Sequence, residues 1–424
     1  MPLESRREKA LVVGVVSRSA SRALVEEHLD ELARLVDSAG GEVVGRFVKE
    51  RPAPDPATYI GRGSVEEIGN AARADAADLV VFDDELSPAQ ARNLEERWKG
   101  SVRVLDRPGL ILDVFASHAR TREASIQVEL AQLQYLLPRL AGRYAHLSRL
   151  GGGIGARGAG EQKLELDRRK IRTRIARLRR DLAKIETARG VRRRGRQGSF
   201  QIAIAGYTNA GKTTLFNRLT RESAYAANRL FATLDSRAAR ARAPALRRVL
   251  LVDTVGFVRK LPTSLVASFR STLAEIREAD LVLHVLDAAS PRVEEEWRVA
   301  SEMLEQLGVP AEKIVPVWTK TDLAAAPPGA LAVSATTGDG IDRLEAEIAR
   351  RARPEPEQFR LRIPYTRGRA IAAARAAFRV IGEEDLGDAL SLTLAGERRN
   401  LHPFLTFLER GAQERKGEPF GSPP

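Results

Sequence analysis

The stretch Gly206-Tyr207-Thr208-Asn209-Ala210-Gly211-Lys212-Thr213-Thr214 brings together two glycines, a lysine and adjacent hydroxyls. At that spacing these residue types suit one chemistry, the cradling of a nucleoside triphosphate. Gly206 and Gly211 let the backbone curl so that its N–H groups face phosphate oxygens, and Lys212 can reach the β and γ phosphates. The Thr213 hydroxyl can ligate magnesium. A chance glycine turn would lack the right neighbours. Here the apolar run Gln201 to Ala205 precedes the stretch and a helical pattern follows it, which is the strand, loop and helix order of a P-loop.

Shorter motifs downstream decide which nucleotide is expected. Val249 to Val252 runs into Asp253-Thr254-Val255-Gly256, where a carboxylate at a strand end can hold a magnesium-bound water and the Gly256 N–H can meet the γ-phosphate. Ile314 to Trp318 runs into Thr319-Lys320-Thr321-Asp322. A carboxylate at Asp322 can accept from the two donors on guanine's Watson–Crick edge while the Lys320 stem covers the ring, and adenine has no such pair of donors. Ser334-Ala335-Thr336 suits a loop that supports the base, and Phe231-Ala232-Thr233-Leu234-Asp235 places a switch threonine at a suitable distance from the P-loop. Alone, each short motif is weak; in this order they predict a GTPase with GTP and magnesium as cofactors. The candidate catalytic residues are Lys212, Thr233 and Gly256, and the candidate magnesium ligands are Thr213, Thr233 and Asp253. An ATPase is the competing nucleotide reading, and Asp322 separates the two.

Composition narrows the rest. The chain has 424 residues, enough for roughly three domains, and its 43% hydrophobic content is ordinary for soluble globular cores. Without cysteine there are no disulfides, thiolate metal sites or cysteine nucleophiles, and His28, His118, His146, His284 and His402 show no zinc-site spacing. No run approaches the roughly 20 apolar residues that span a bilayer, and the N-terminus lacks a signal-peptide core. The expectation is a cytoplasmic protein with no integral membrane segment, monomeric when free. A net charge of +13 suits a polyanionic partner, nucleic acid first. That charge is focused: Arg168, Arg169, Lys170, Arg172, Arg174, Arg177, Arg179, Arg180 and Lys184 share one segment, and Arg189, Arg192, Arg193, Arg194 and Arg196 follow it.

The elements that must position these residues can be drawn from periodicity. Strand-like runs at Leu11 to Val16, Glu42 to Val48, Leu79 to Phe82 and Val102 to Leu105, with a helix over Arg22 to Val36, predict a small parallel α/β domain. Apolar residues at Ile126, Leu130, Leu133, Leu137 and Leu140, and again at Leu164, Ile171, Ile175, Leu178, Leu182 and Ile185, predict two helices with one seam each. Joined by a loop, they make an antiparallel hairpin, with Pro138 bending the first helix near its end. The glycine-rich tip, Gly151 to Gly160, would let backbone approach RNA closely.

Leu110-Ile-Leu-Asp-Val-Phe115, Gln127-Val-Glu-Leu-Ala-Gln132, Gly151-Gly-Gly-Ile-Gly155 and Arg157-Gly-Ala-Gly-Glu161 resemble signatures of the HflX GTPases. Phe231 to Asp235 and Asp253 to Pro262 resemble that family's switch regions. The expected fold is therefore α/β: a P-loop GTPase domain at residues 199–353, preceded by a small parallel α/β domain (1–120), a basic antiparallel helical hairpin (121–190) and a basic linker (191–198). A small α+β C-terminal domain with a disordered tail follows (354–424). The resemblance implies a GTPase that binds the large ribosomal subunit and its RNA and splits or rescues stalled or idle ribosomes. A GTP-sensing RNA-binding protein in ribosome assembly or tRNA modification stays open beside it. Phe257 stands where many GTPases carry a water-orienting glutamine, which implies slow hydrolysis that a ribosome stimulates. Asn209 resembles the asparagine through which some related GTPases hold a potassium ion, so it joins the catalytic candidates. Thr319 replaces the family's usual asparagine, and the loss of a side-chain tie between the base loop and the P-loop is expected.

Overall fold

The computed structural model describes residues 6–18, 20–140, 159–194, 199–220, 222, 230–231, 236–260, 270–352, 357–396 and 398–408. Ala232, Thr233, Leu234 and Asp235, the tip at 151–158 and the tail from Gly411 lie outside them. The chain divides into two compact units, Met1–Glu345 and Ala346–Pro424.

The first unit opens with β1 (Lys9–Val16), α1 (Arg22–Ser38), β2 (Glu42–Glu50), α2 (Arg62–Ala74), β3 (Leu79–Phe82), α3 (Pro88–Arg97) and β4 (Arg103–Asp106). Its strands are parallel in the order β2-β1-β3-β4. The central strands β1 and β3 are apolar almost throughout because helices cover both faces of the sheet. Leu29, Leu32 and Leu35 of α1 pack on one side; Ile68, Leu94 and Trp98 of α2, α3 and the following turn pack on the other. The helix starts are written locally. Ser21 caps α1 by accepting from Leu24 N at 3.3 Å, and Ser87 with Gln90 forms a reciprocal capping box behind Pro88 at α3.

β4 leads straight into α4 (Arg107–His118), which is followed by α5 (Arg122–Arg139) and α6 (Ala159–Arg194). Asp106 caps α4 through Gly109 N at 3.0 Å, and the same carboxylate accepts from Leu86 N (3.0 Å), Tyr135 Oη (2.6 Å) and Arg139 Nη2 (2.8 Å). One buried acid thus fastens the hairpin's first helix to the sheet. Ile126 and Leu130 of α5 meet Ile175 and Leu178 of α6, with Leu133, Leu137, Ile171, Leu182 and Ile185 at the margins. The two spaced seams of the sequence close on each other, and Glu129 accepts both guanidinium bonds of Arg174 at 2.6 and 2.7 Å. Pro138 falls in the last turn of α5, which ends at Arg139.

The nucleotide-binding part comprises β5 (Phe200–Gly206), α7 (Lys212–Leu219), β6 (Arg237–Arg240), β7 (Val249–Asp253), α8 (Arg270–Glu278), β8 (Leu281–Asp287), α9 (Val293–Gln306) and β9 (Ile314–Thr319), and α10 (Ile341–Arg351) follows, with the boundary between the units falling inside it. The sheet order is β6-β7-β5-β8-β9, parallel except for β6. Gly206, Asp253, Asp287 and Thr319 all end their strands, so the P-loop and its partner motifs gather at one edge of the sheet, where open α/β folds bind ligands.

The second unit has β10 (Glu357–Pro364), α11 (Gly368–Ala377), β11 (Arg379–Asp385) and β12 (Ala389–Gly396), an antiparallel sheet ordered β10-β12-β11 over Phe359, Leu361, Ile363, Phe378 and Leu392. Residues 379–385 form an edge strand of this sheet. β12 supplies a hydrogen-bonding partner for it that local pattern cannot reveal. Among the described residues no helix is long and apolar enough to cross a membrane.

Candidate active site

The P-loop leaves β5 at Gly206, whose φ of +151° and the carbonyl oxygen of Val285 facing its missing Cβ leave room for glycine alone. Asn209 is exposed with φ +64°, and Gly211 caps α7 in the left-handed region, so that the helix N-terminus faces the loop. Lys212 is 6% exposed and donates to Tyr207 O at 2.6 Å. Burial lowers its pKa to about 8 against the opposing pull of the Asp253 carboxylate. Thr213 Oγ1 donates to Asp253 Oδ2 at 2.8 Å, which brings two of the three predicted magnesium ligands together.

Gly256 closes the far side of this cradle. A Cβ there would stand 2.8 Å from Thr208 Cα of the P-loop backbone and 2.9 Å from Lys212 Nζ, so only glycine fits this approach. Hydroxyl and carboxylate oxygens fit magnesium, a hard cation. Among the described residues no group of three or more carboxylate or imidazole side chains could hold a metal ion by itself. Magnesium held here would need further oxygen ligands, of the kind that phosphate and water supply. Thr254 and Val255 share the loop, yet their side chains face inward: Thr254 Oγ1 donates to Ile204 O at 2.7 Å, and Val255 belongs to the core. Phe257 is buried as well, so its ring offers nothing to an attacking water.

At the other end, Thr319 corrects the expectation of a missing tie. Its hydroxyl lies 2.7 Å from Ala210 O and 3.0 Å from Leu286 O, so it reaches the P-loop backbone and the end of β8 with its single proton. Lys320 Nζ is held by Asp287 Oδ2 at 2.6 Å, a partner that the sequence did not single out. Val333 N donates to Trp318 O at 2.7 Å, which sets Ser334, Ala335 and Thr336 beside Thr319, Lys320, Thr321 and the exposed Asp322. Ser334 is buried and accepts from Thr337 N at 3.1 Å; it shapes the loop. Thr214 stays exposed on α7.

Sequence reasoning missed the charged cluster behind the P-loop. Arg107 of α4 is fully buried between Glu31 of α1 (2.9 Å) and Asp83 after β3 (2.5 Å). Lys260 Nζ sits 2.5 Å from both Asp83 Oδ2 and Asp84 Oδ1, Arg259 pairs with Glu295 of α9 at 2.8 Å, and Tyr207 Oη donates to Glu31 at 2.6 Å. Further contacts join the same parts. Leu230 N donates to Ser38 Oγ at 3.2 Å, and the Phe231 ring packs edge-on to Phe115 with centroids 4.6 Å apart. One signal was available: Glu31 falls among Val25, His28, Leu29, Leu32 and Leu35, a carboxylate on the apolar face of α1.

Burial alone would raise the Asp83 carboxyl, but the bond from His28 and the charges of Arg107 and Lys260 outweigh it and hold it well below the usual carboxylate range. A depressed carboxyl stabilises the fold above its unfolded value, near pH 4, and that share is lost as pH falls from there toward the folded value. Asp83→Ala, which strands Arg107 with half its partners, is expected to cost about 3–5 kcal/mol in urea unfolding at neutral pH. Its stability should also fall less steeply below about pH 4 than that of the unaltered chain. An unchanged midpoint and an unchanged acid limb would remove Asp83 from the cluster's energetics.

Three family models match in succession: a GTP-binding GTPase N-terminal region over residues 26–116, a GTP-binding GTPase middle region over 118–196 and a 50S ribosome-binding GTPase over 201–320. The GTPase HflX of Caldanaerobacter subterraneus subsp. tengcongensis is 43% identical over 384 residues, covering 89% of this chain and 88% of its own. The GTPase HflX of Escherichia coli K12 is 43% identical over 359 residues, covering 81% and 83%. A solved GTP-binding protein of Sulfolobus solfataricus in complex with GDP is similar at 24% identity, covering 81% of this chain and 98% of that one, with a TM-score of 0.43.

Proposed function

The chain belongs to the HflX family of GTPases and hydrolyses GTP; from that premise we propose that it binds the large ribosomal subunit and splits or rescues stalled or idle ribosomes. The observation that carries this is α6. Arg169, Arg177, Arg180 and Lys184 are exposed at helical spacing on the side away from the Ile175 and Leu178 seam, a row suited to RNA phosphates. In this reading GTP binding orders the switches and so favours the ribosome-bound state, and hydrolysis releases the factor.

Lys212 neutralises β and γ phosphate charge, the Gly256 N–H meets the γ-phosphate, and Asp322 reads guanine. Thr213, Thr233 and Asp253 would hold magnesium, which would supply positive charge against the transferring phosphoryl group. Because Phe257 cannot orient water, turnover of the free protein is slow. Asn209 would hold a potassium ion, which would supply the positive charge that other GTPases take from an arginine.

Sedimentation of 70S ribosomes with the protein and either GTP or a non-hydrolysable analogue tests the reading, alongside GTP turnover with and without large subunits in potassium and in sodium at fixed ionic strength. Subunits separating with either nucleotide, and turnover rising about tenfold or more with large subunits, are expected. Intact 70S particles and unstimulated turnover would rule it out, and equal rates in potassium and sodium would sink the role given to Asn209.

A further inference from the structure

We propose that Tyr207 is a positioning residue for GTP hydrolysis, joining the P-loop, the turn after Gly256 and Glu31 of the N-terminal sheet domain into one rigid unit. A phosphate cradle needs glycine backbone and a lysine at this place; nothing in its chemistry calls for a tyrosine. The Tyr207 side chain is buried, and its hydroxyl makes two bonds of different kinds. It donates to Glu31 Oε1 at 2.6 Å and accepts from Arg259 N at 3.1 Å.

The main chain on either side repeats the link. Gly206 O accepts from Phe257 N at 3.0 Å, and Thr208 N donates to Phe257 O at 2.7 Å, a bridge that lays residues 257 to 259 along the start of the P-loop. Tyr207 O in turn accepts from Lys212 Nζ at 2.6 Å. The phosphate-binding lysine, the Gly256 turn and the P-loop backbone therefore all refer to one residue. With the Phe257 ring buried, placement of the reacting groups on this side must come from backbone, and backbone is useful in proportion to how firmly it is held. Glu31 supplies the fixed end, since Arg107 clamps it at 2.9 Å and is itself bound by Asp83. Burial and the Glu31 carboxylate keep the phenol protonated, as its donor role requires.

The test uses the full chain without ribosomes, so its outcome is separate from that of the ribosome reading. Tyr207→Phe keeps the ring and removes the hydroxyl. Its kcat is expected to fall about tenfold while KM and the affinity for a non-hydrolysable GTP analogue stay within about twofold, the pattern of an interaction used in the transition state. Glu31→Gln still accepts from the hydroxyl and should keep kcat within about threefold, whereas Glu31→Ala should match Tyr207→Phe. Thermal unfolding of each variant identifies any that fails to fold, and Tyr207→Phe then decides alone. An unchanged or raised kcat in Tyr207→Phe would overturn the proposal, as would a fall in kcat matched by an equal loss of nucleotide affinity. So would a folded Glu31→Gln as slow as a folded Glu31→Ala.

Discussion

Asp322→Asn is expected to erase the preference for guanine, with GTP affinity falling about 100- to 1,000-fold and ATP affinity unchanged. A carboxylate accepts from both guanine donors, and each charge-assisted bond is worth about 1.5–3 kcal/mol. The asparagine amide turns one acceptor into a donor that faces a donor. The loss stays local because the base loop is anchored elsewhere, by Thr319 on Ala210 O and by Lys320 on Asp287. Competitive titration of labelled GTP with unlabelled GTP and ATP reads the effect. Were both nucleotides to weaken by the same factor, Asp322 would not be the reader.

Removing Arg169, Arg177, Arg180 and Lys184 together, each to alanine, should weaken binding to large subunits about 100- to 1,000-fold near physiological salt. Each phosphate contact releases counterions, so the slope of log affinity against log salt should flatten by roughly 0.7–0.9 for each charge removed. The four side chains lie off the seam of α6, so its packing against α5 is untouched. An unchanged salt slope would mean that RNA is met by some other surface. Arg174 is the internal control, because Glu129 already holds it and its loss should change the slope far less.

Strands buried on both faces were legible from sequence, as Leu11 to Val16 and Leu79 to Phe82 show, because continuous apolar runs leave few other solutions. The hairpin was legible for a related reason: its two seams repeat at helical spacing over many turns. β11 was not. Its Arg379, Glu383, Glu384 and Asp385 are exposed on an edge, and only pairing with β12 makes them a strand. At the candidate site the glycines, Lys212, Thr213 and Asp253 could be singled out because phosphate chemistry would dictate their types, and the structure brings Thr213 onto Asp253. Arg107, Lys260 and Asp287 could not, since each takes its meaning from a carboxylate or cation far away in the chain. Thr319 was misjudged for a smaller reason: a hydroxyl reaches the same P-loop carbonyl region that a longer amide was expected to serve.

In open parallel sheets the crevice that takes ligands lies between the two strands from which the connections run in opposite directions. In the N-terminal sheet those strands are β1 and β3, and Asp83, directly after β3, donates its backbone N–H to Val13 O of β1 at 2.9 Å. That crevice already has an occupant, the Lys260 ammonium, gripped by Asp83 and Asp84. The N-terminal domain thus treats a side chain of its own GTPase as cargo. Any free cation or small molecule that sought the same place would have to evict a tethered competitor, whose effective concentration is set by the chain itself and not by the solution.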